Sequence, residues 1–272
     1  MVPTTAKDGS VGGLLAPLRE DPGSTAIFCD VDGTLAPIVE RPGKAGVPAD
    51  ARETLGALAD RYELVGCISG RRAAEARELV GVDALAYIGN HGFERLLPGE
   101  SDAQLDPVLH EHADAAARFV EHHLEATGLE AAGLRLEDKG PIAALHWRGA
   151  PDEAAAEARA REIARDAVGW NLVPHWGRKV LEIRPAVELN KGTALAQLVE
   201  ERRLANALYG GDDRTDVDAF RKLRAMAATG DLRAAVCVGV ASAEGPRELV
   251  QEADLVVEGT AGFLAALRLL LD

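Results

Sequence analysis

Five short apolar runs mark the chain, at residues 26–29, 64–68, 205–209, 235–240 and 255–257, and each is followed within two residues by Gly, Asp or Ser. Most are continuous rather than alternating, the pattern of strands buried on both faces of a parallel sheet. Between them, residues 51–62, 71–80, 192–203 and 215–228 carry apolar positions three and four apart, which predicts helices. Strand and helix in alternation predict a doubly wound, Rossmann-like α/β domain.

The middle of the chain is patterned differently. An Ala-, His- and Glu-rich helix is predicted over 110–126, then strands over 133–137 and 142–148. A second helix over 152–168 precedes strands over 171–176 and 179–183. Helix, two strands, helix, two strands suits a small α+β module with an antiparallel sheet. Residues 96–176 are therefore expected to form an insertion, and residues 1–95 and 177–272 the α/β core. Insertions of this length between sheet elements serve as lids or substrate-binding caps.

Composition narrows the partners. The 272 residues are 47% hydrophobic and 27% charged, as in an ordinary soluble globular protein, and the net charge is -14. An acidic surface repels nucleic acid and anionic membranes, so neither is an expected partner. An anionic substrate then needs a local device, such as a metal ion or a lysine. No apolar stretch approaches the roughly 18 residues of a membrane helix, and residues 1–10 lack the apolar core of a signal peptide. Cys29, Cys67 and Cys237 all lie in apolar runs, where they read as buried thiols of a cytoplasmic protein.

Four stretches carry candidate chemistry. Asp30-Val31-Asp32-Gly33-Thr34 ends the first apolar run. Two close carboxylates raise each other's pKa unless a cation offsets them, and oxygen-only ligands favour a hard ion such as Mg²⁺. The alternative is an Asp-Gly turn with a capping aspartate. Ser69, in Ser69-Gly70-Arg71, stands at a strand end before a helix, where it serves as N-cap or as a ligand of phosphate oxygen. Lys191 opens a helix, against the macrodipole, so it faces an anion or solvent. Gly210-Gly211-Asp212-Asp213-Arg214-Thr215-Asp216 puts three acids at a strand-to-helix turn, as helix caps or as a metal site with its outer ligands. Ligands of open α/β sheets bind at the carboxyl ends of strands, where these stretches fall, although Lys191 lacks a clear preceding buried strand. His110, His112, His122 and His123 lie on a polar helix face without the further ligands of a zinc site.

The four stretches, in this order, resemble the motifs of the haloacid dehalogenase superfamily. The resemblance narrows to its trehalose-6-phosphate phosphatase family on Ser69-Gly70-Arg71, Gly89-Asn90-His91-Gly92-Phe93-Glu94, Glu137-Asp138-Lys139, His146-Trp147-Arg148, the run 177–185 and the run 211–216. It extends from about Ala26 to Leu270. Val31 stands where relatives commonly have an aromatic residue, and Val217 where they usually have an acid. The resemblance implies Mg²⁺-dependent hydrolysis through an aspartyl phosphate on Asp30, with Asp32 as acid and base. It implies Asp30, Asp32 and Asp212 as metal ligands, Asp213 and Asp216 behind them, and Ser69 and Lys191 on the phosphoryl oxygens. In the inserted cap it implies sugar contacts from Glu137, Lys139, His146 and Glu182, with Arg148, His91 and Glu94 as further contacts. From spacing alone those cap residues read as cross-strand ion pairs, with Glu182 joined to Arg184 or Lys179. A small sugar phosphate is the implied substrate, and a trehalose-phosphate synthase the implied functional partner. A related pseudodisaccharide phosphatase and a silent sugar-phosphate-binding protein are the alternatives.

Overall fold

The computed structural model describes residues 5–6, 10–38, 46–109, 115–116, 118–122, 128–242 and 245–272. Its strands are β1 (Thr5–Ala6), β2 (Thr25–Cys29), β3 (Leu64–Ile68), β4 (Ala86–Gly89), β5 (Glu94–Leu96), β6 (Gln104–Leu105), β7 (Arg135–Asp138), β8 (Ala143–His146), β9 (Leu172–Gly177), β10 (Val180–Pro185), β11 (Asn206–Gly211), β12 (Ala234–Ala241) and β13 (Leu255–Glu258). The helices used below are α1 (Val11–Glu20), α2 (Ala49–Arg61), α3 (Ala73–Val80), α4 (Glu153–Gly169), α5 (Lys191–Arg202) and α6 (Asp216–Thr229).

Residues Met1–Gln104 and Leu189–Asp272 form one compact unit. Its sheet has the order β1-β13-β12-β11-β2-β3-β4-β5-β6. Every pairing from β13 through β4 is parallel, and β1 and β5 add antiparallel edges. The chain runs from β2 outward to β4, then returns to lay β11 beside β2 and runs outward the other way. That reversal opens a crevice at the carboxyl ends of β2 and β11, where α/β sheets bind ligands. The apolar runs supply both faces. Ile27, Cys29, Val65, Cys67 and Leu208 enter one core, and Ala26, Phe28, Ile68, Ala207 and Tyr209 the other. Helix α1 and strand β4 were not evident in the patterning. The first contains Gly12, Gly13 and Pro17, all poor helix formers, and the second has only four residues.

The second unit is Leu105–Glu188. Its sheet, in the order β7-β8-β10-β9, is antiparallel throughout. Leu145, Leu181 and Ile183 pack from one face against Ala160, Ile163 and Ala167 of α4. This unit is displaced from the expected 96–176. Strand β10, left in the core by the expected boundary at 176, pairs with β8 and β9, while Glu94–Leu96 and Gln104 belong to the large sheet. Of the helix expected over 110–126, the described residues 115–116 and 118–122 are helical; His110, His112 and His123 lie outside the described residues. Among the described residues no helix is long and apolar enough to cross a membrane.

Candidate active site

The first loop of the site is pinned by its own apolar residues. Val31, Leu35 and Ala36 are buried in the core beside β2. The Asp30 N–H donates to the Gly210 carbonyl (2.8 Å), so β2 stays paired with β11 to its last residue. The Gly33 N–H donates to the Ala36 carbonyl (2.8 Å), closing the turn. Gly33 has φ +92°, and a β-carbon there would fall 2.2 Å from Asp212 Oδ2. Only glycine lets this turn lie against the β11 carboxylate.

Lys191 reaches this point from the start of α5. Its Nζ donates to Asp30 Oδ1 and Asp216 Oδ1, both at 2.7 Å, and all three side chains are buried. Asp216 is saturated: Oδ1 also accepts Tyr209 Oη (2.7 Å), and Oδ2 accepts the N–H groups of Asp212 and Asp213 (2.9 Å each). Asp213 Oδ1 accepts from the Thr215 N–H (2.8 Å) and hydroxyl (2.7 Å), fixing the turn into α6. Among the described residues Asp212 accepts only a long bond, from Thr34 Oγ1 (3.4 Å). Its carboxylate therefore keeps oxygens free for a ligand.

Charge is unbalanced here. Burial pushes the Asp30 carboxyl well above the usual range; Lys191 opposes this, and Asp216, Asp213 and Asp212 reinforce it. Burial, then Asp216 and Asp213, push Asp212 up to about 7. Asp216 is pushed up to about 6, chiefly by burial. For Asp213 burial is outweighed by Lys191 and the Thr215 hydroxyl, which bring it down to about 2. Burial disfavours the Lys191 ammonium, yet Asp216 and Asp30 hold it charged well above its ordinary range. Oxygens of Asp30, Asp212 and Asp216 lie within 4.8 Å of one another. Buried, negative in excess and all-oxygen, the cluster fits a divalent cation. Asp30 and Asp212 have the oxygens to spare for it, whereas Asp216 is committed to Lys191, Tyr209 and the backbone.

This sets a pH dependence. Asp212 and Asp216 have folded pKa values above their ordinary 3.8. The stability they contribute is full below about pH 4 and is lost as pH rises through about 6 to 7. The cation must displace the same protons, so it stabilises more at high pH. Thermal unfolding with Mg²⁺ and with chelator should show a larger gap near pH 8 than near pH 5. An equal gap would contradict the assignment of this cluster to the cation.

Ser69 and Asp32 occupy adjoining loops. Ser69 is buried after β3, and its Oγ accepts the Arg71 N–H (3.2 Å). Asp32 is not among the clustered oxygens; its carboxylate is held by Arg71 in a fork, Nε to Oδ2 at 2.6 Å and Nη2 to Oδ1 at 2.7 Å. Arg71 was quoted with its motif in the sequence but given no role there. Tyr209 was also missed, and its place in an apolar run offered no signal. Because the bidentate fork fixes the Asp32 carboxylate, replacing Arg71 by Ala should slow turnover about 10–100-fold. Steady-state kinetics checks this, and an unchanged rate would remove Arg71 from the site.

In the second unit the named cap residues are paired. His146 Nε2 lies 2.7 Å from Glu137 Oε2, and this contact holds the Glu137 carboxyl below its usual range. Lys139 Nζ donates to Glu182 Oε1 (2.9 Å), and Arg184 Nε donates to Glu182 Oε2 (3.1 Å). Glu182 is thus joined to Lys139 and Arg184, not to Lys179, which pairs with Glu153. The register sets Glu137, Ala144, Glu182 and His175 in one row across the sheet. Arg148 stands apart, its guanidinium donating to the Arg178 carbonyl (3.4 Å) on the exposed surface. Glu94 belongs to the first unit, buried on β5.

Residues 28–251 match the family described as Trehalose-phosphatase. The chain is 37% identical over 172 residues to an uncharacterized glycosyl hydrolase of Mycobacterium tuberculosis (strain CDC 1551 / Oshkosh), covering 59% of this chain and 12% of that protein. It is 35% identical over 174 residues to the trehalose-phosphate phosphatase of Mycobacterium avium (strain 104), covering 59% of this chain and 41% of the relative. The chain thus spans less than half the length of these curated relatives. The fold matches the C-terminal domain of the C. albicans trehalose-6-phosphate phosphatase with a TM-score of 0.75, at 21% identity over 99% of this chain and 98% of that one. By a match over most of its length, residues 28–251, the chain belongs to the trehalose-phosphatase family.

Proposed function

We propose that this chain hydrolyses trehalose 6-phosphate to trehalose and inorganic phosphate in the cytoplasm, with Mg²⁺ as cofactor. The observation that carries the reading is Lys191 Nζ on Asp30 Oδ1, buried at the switch point of the sheet. A carboxylate held by a lysine, beside a second carboxylate with free oxygens, is equipped to take up a phosphoryl group. Asp30, Asp212 and the main-chain carbonyl of Asp32 would hold Mg²⁺, which when bound would offset negative charge on the carboxylates and the phosphoryl group. Family membership and the relative named as a trehalose-phosphate phosphatase support the substrate.

In the first step an Asp30 oxygen attacks phosphorus, the bond from phosphorus to the sugar oxygen breaks, and Asp32 gives that oxygen a proton. In the second, water attacks phosphorus, Asp32 takes its proton, and Asp30 is released. Arg71 holds Asp32 as a carboxylate before substrate binds and must then yield one of its oxygens, which carries the proton given in the first step and regained from water in the second. Ser69 Oγ and Lys191 Nζ receive the phosphoryl oxygens, where charge spreads in the transition state. Asp216 anchors Lys191, and Asp213 holds the turn that presents Asp212.

Residues 105–188 act as the substrate-recognition cap, with Glu137, Lys139, His146 and Glu182 bonding sugar hydroxyls and Arg148 at the margin. Free, buried Cys29, Cys67 and Cys237 support a reducing compartment. A synthase that forms the phosphorylated disaccharide is the functional partner. Removing a hydrogen bond to a charged group costs about 1.5–3 kcal/mol, so Glu182→Gln should raise KM for trehalose 6-phosphate roughly 10–100-fold. Hydrolysis of a small aryl phosphate should change far less; equal losses on both substrates would take Glu182 out of sugar recognition. The chemistry itself is tested by acid quench of enzyme mixed with substrate and Mg²⁺. Mass analysis should find one phosphoryl group on Asp30, and steady turnover without any such adduct would refute the nucleophile.

A further inference from the structure

Helix α3 follows the Ser69–Arg71 loop and has no capping side chain of its own; its N-cap is Arg72. The first N–H groups of a helix need acceptors from elsewhere. Here the Ala73 N–H donates to Glu94 Oε1 at 2.6 Å. Glu94 is 4% exposed and sits on β5, opposite Gly89 at the end of β4. A distant strand therefore supplies the cap that the local sequence lacks.

The turn between β4 and β5 is unusual in itself. Asn90, His91 and Gly92 all have positive φ, at 50°, 61° and 116°. Two of the three are not glycine, and such backbone persists only where its surroundings enforce it. The enforcing contacts point to the site. The Asn90 N–H donates to the Arg71 carbonyl (2.7 Å) and the His91 N–H to the Ser69 carbonyl (2.9 Å). On its other side the turn meets α5. A β-carbon on Gly92 would fall 2.9 Å from the Asn190 carbonyl oxygen and 3.1 Å from Ala194 Cβ. Asn190 caps α5 through its side chain, bonded to the N–H groups of Gly192 and Thr193, and Lys191 is the first residue of that helix. One strained turn thus touches both the Ser69–Arg71 loop and the base of Lys191.

We propose that Glu94, with the left-handed turn Asn90–Gly92 before it, is a positioning element that holds Ser69 and Arg71 in register with Lys191. The inference rests on the phosphatase reading, which assigns Ser69 and Lys191 to the phosphoryl oxygens. Glu94 touches no substrate. It fixes where α3 begins, and so where the Ser69 hydroxyl and the Arg71 guanidinium lie relative to the ammonium arriving from α5.

The test uses the full chain with Glu94→Leu, Glu94→Gln and Gly92→Ala, each checked for folding by circular dichroism. Turnover is measured on trehalose 6-phosphate and on p-nitrophenyl phosphate, and inorganic phosphate is titrated calorimetrically in Mg²⁺. For Glu94→Leu, kcat should fall about 10–100-fold on both substrates, and phosphate binding should weaken about tenfold. Glu94→Gln keeps a carbonyl acceptor for the Ala73 N–H, and should recover kcat to within about threefold of the parent. Gly92→Ala, which spares Glu94 and crowds Asn190, should repeat the Glu94→Leu pattern; it decides the matter if Glu94→Leu does not fold. A folded Glu94→Leu with parental kcat and phosphate affinity overturns the proposal. So does a loss confined to KM for the disaccharide, which would make Glu94 a sugar contact. If the parent hydrolyses neither substrate, the phosphatase reading fails, while phosphate affinity still separates a positioning role from none.

Discussion

Asp30→Asn should release phosphate at least about ten thousand times more slowly than the parent, as expected when a nucleophile is removed. The amide is nearly the same size, so the loss reports chemistry and not packing. Stability should move the other way. Asp30 lies among Asp212, Asp213 and Asp216, and burial with these like charges pushes its carboxyl up. Neutralising it removes one buried negative charge while Lys191 keeps Asp216. In chelator the variant should therefore unfold at a temperature equal to or above that of the parent. Phosphate release and thermal unfolding measured on one preparation check both halves. Activity within tenfold of the parent, or a marked loss of stability, would contradict the role given to Asp30.

Lys191→Met should abolish turnover as fully and destabilise the fold. The ammonium is the shared partner of Asp30 Oδ1 and Asp216 Oδ1. Methionine keeps the length of the side chain but leaves both carboxylates buried without a cation. Removing one partner of a buried ion pair costs about 3–5 kcal/mol. For a chain of this size that is a fall in Tm on the order of 10 °C. Without the ammonium, Asp30 and Asp216 are protonated more readily, so part of the lost stability should return as pH falls, starting above the value of about 6 that Asp216 has beside Lys191. Unfolding curves at two pH values decide this. A variant as stable as the parent at neutral pH would mean that the buried pair is compensated elsewhere. Asp30→Asn and Lys191→Met thus share a loss of activity and differ in the sign of their effect on stability.

Much of the α/β fold and the placement of the candidate site was legible because it rests on local pattern. Continuous apolar runs that stop at Asp30, Ser69 and Asp212 announce strands buried on both faces with polar groups at their ends. Gly33 marks where the first of them turns, whereas Gly210 and Gly211 prove to be the last two residues of β11. What escaped depends on strand order, which no window of sequence reports. Arg71 is 39 positions from Asp32, and they meet because β2 and β3 are neighbours. Tyr209 looks like any apolar strand residue until its hydroxyl is found on Asp216. Glu94 stood in a recognisable motif, yet its bond to the Ala73 N–H follows from β4 lying beside β3. The run 179–183 fits the small module's order of helix, two strands, helix, two strands, yet the boundary expected at 176 left it in the core; its pairing with β8 puts it in the small sheet. Of the cap residues, Glu137 and His146 do pair across β7 and β8, whereas Lys139, just past the end of β7, reaches Glu182 on β10 and Arg148, among the described residues, bonds only a carbonyl.

The most direct test of the function is the initial rate of phosphate release from trehalose 6-phosphate, set beside glucose 6-phosphate, with Mg²⁺ and with chelator. A site built to bond sugar hydroxyls rejects a substrate lacking them, so kcat/KM should favour the disaccharide by at least about a hundredfold. Release should vanish in chelator. Equal rates on the two sugars would contradict the substrate, and undiminished release in chelator would contradict the metal site formed around Asp30 and Asp212.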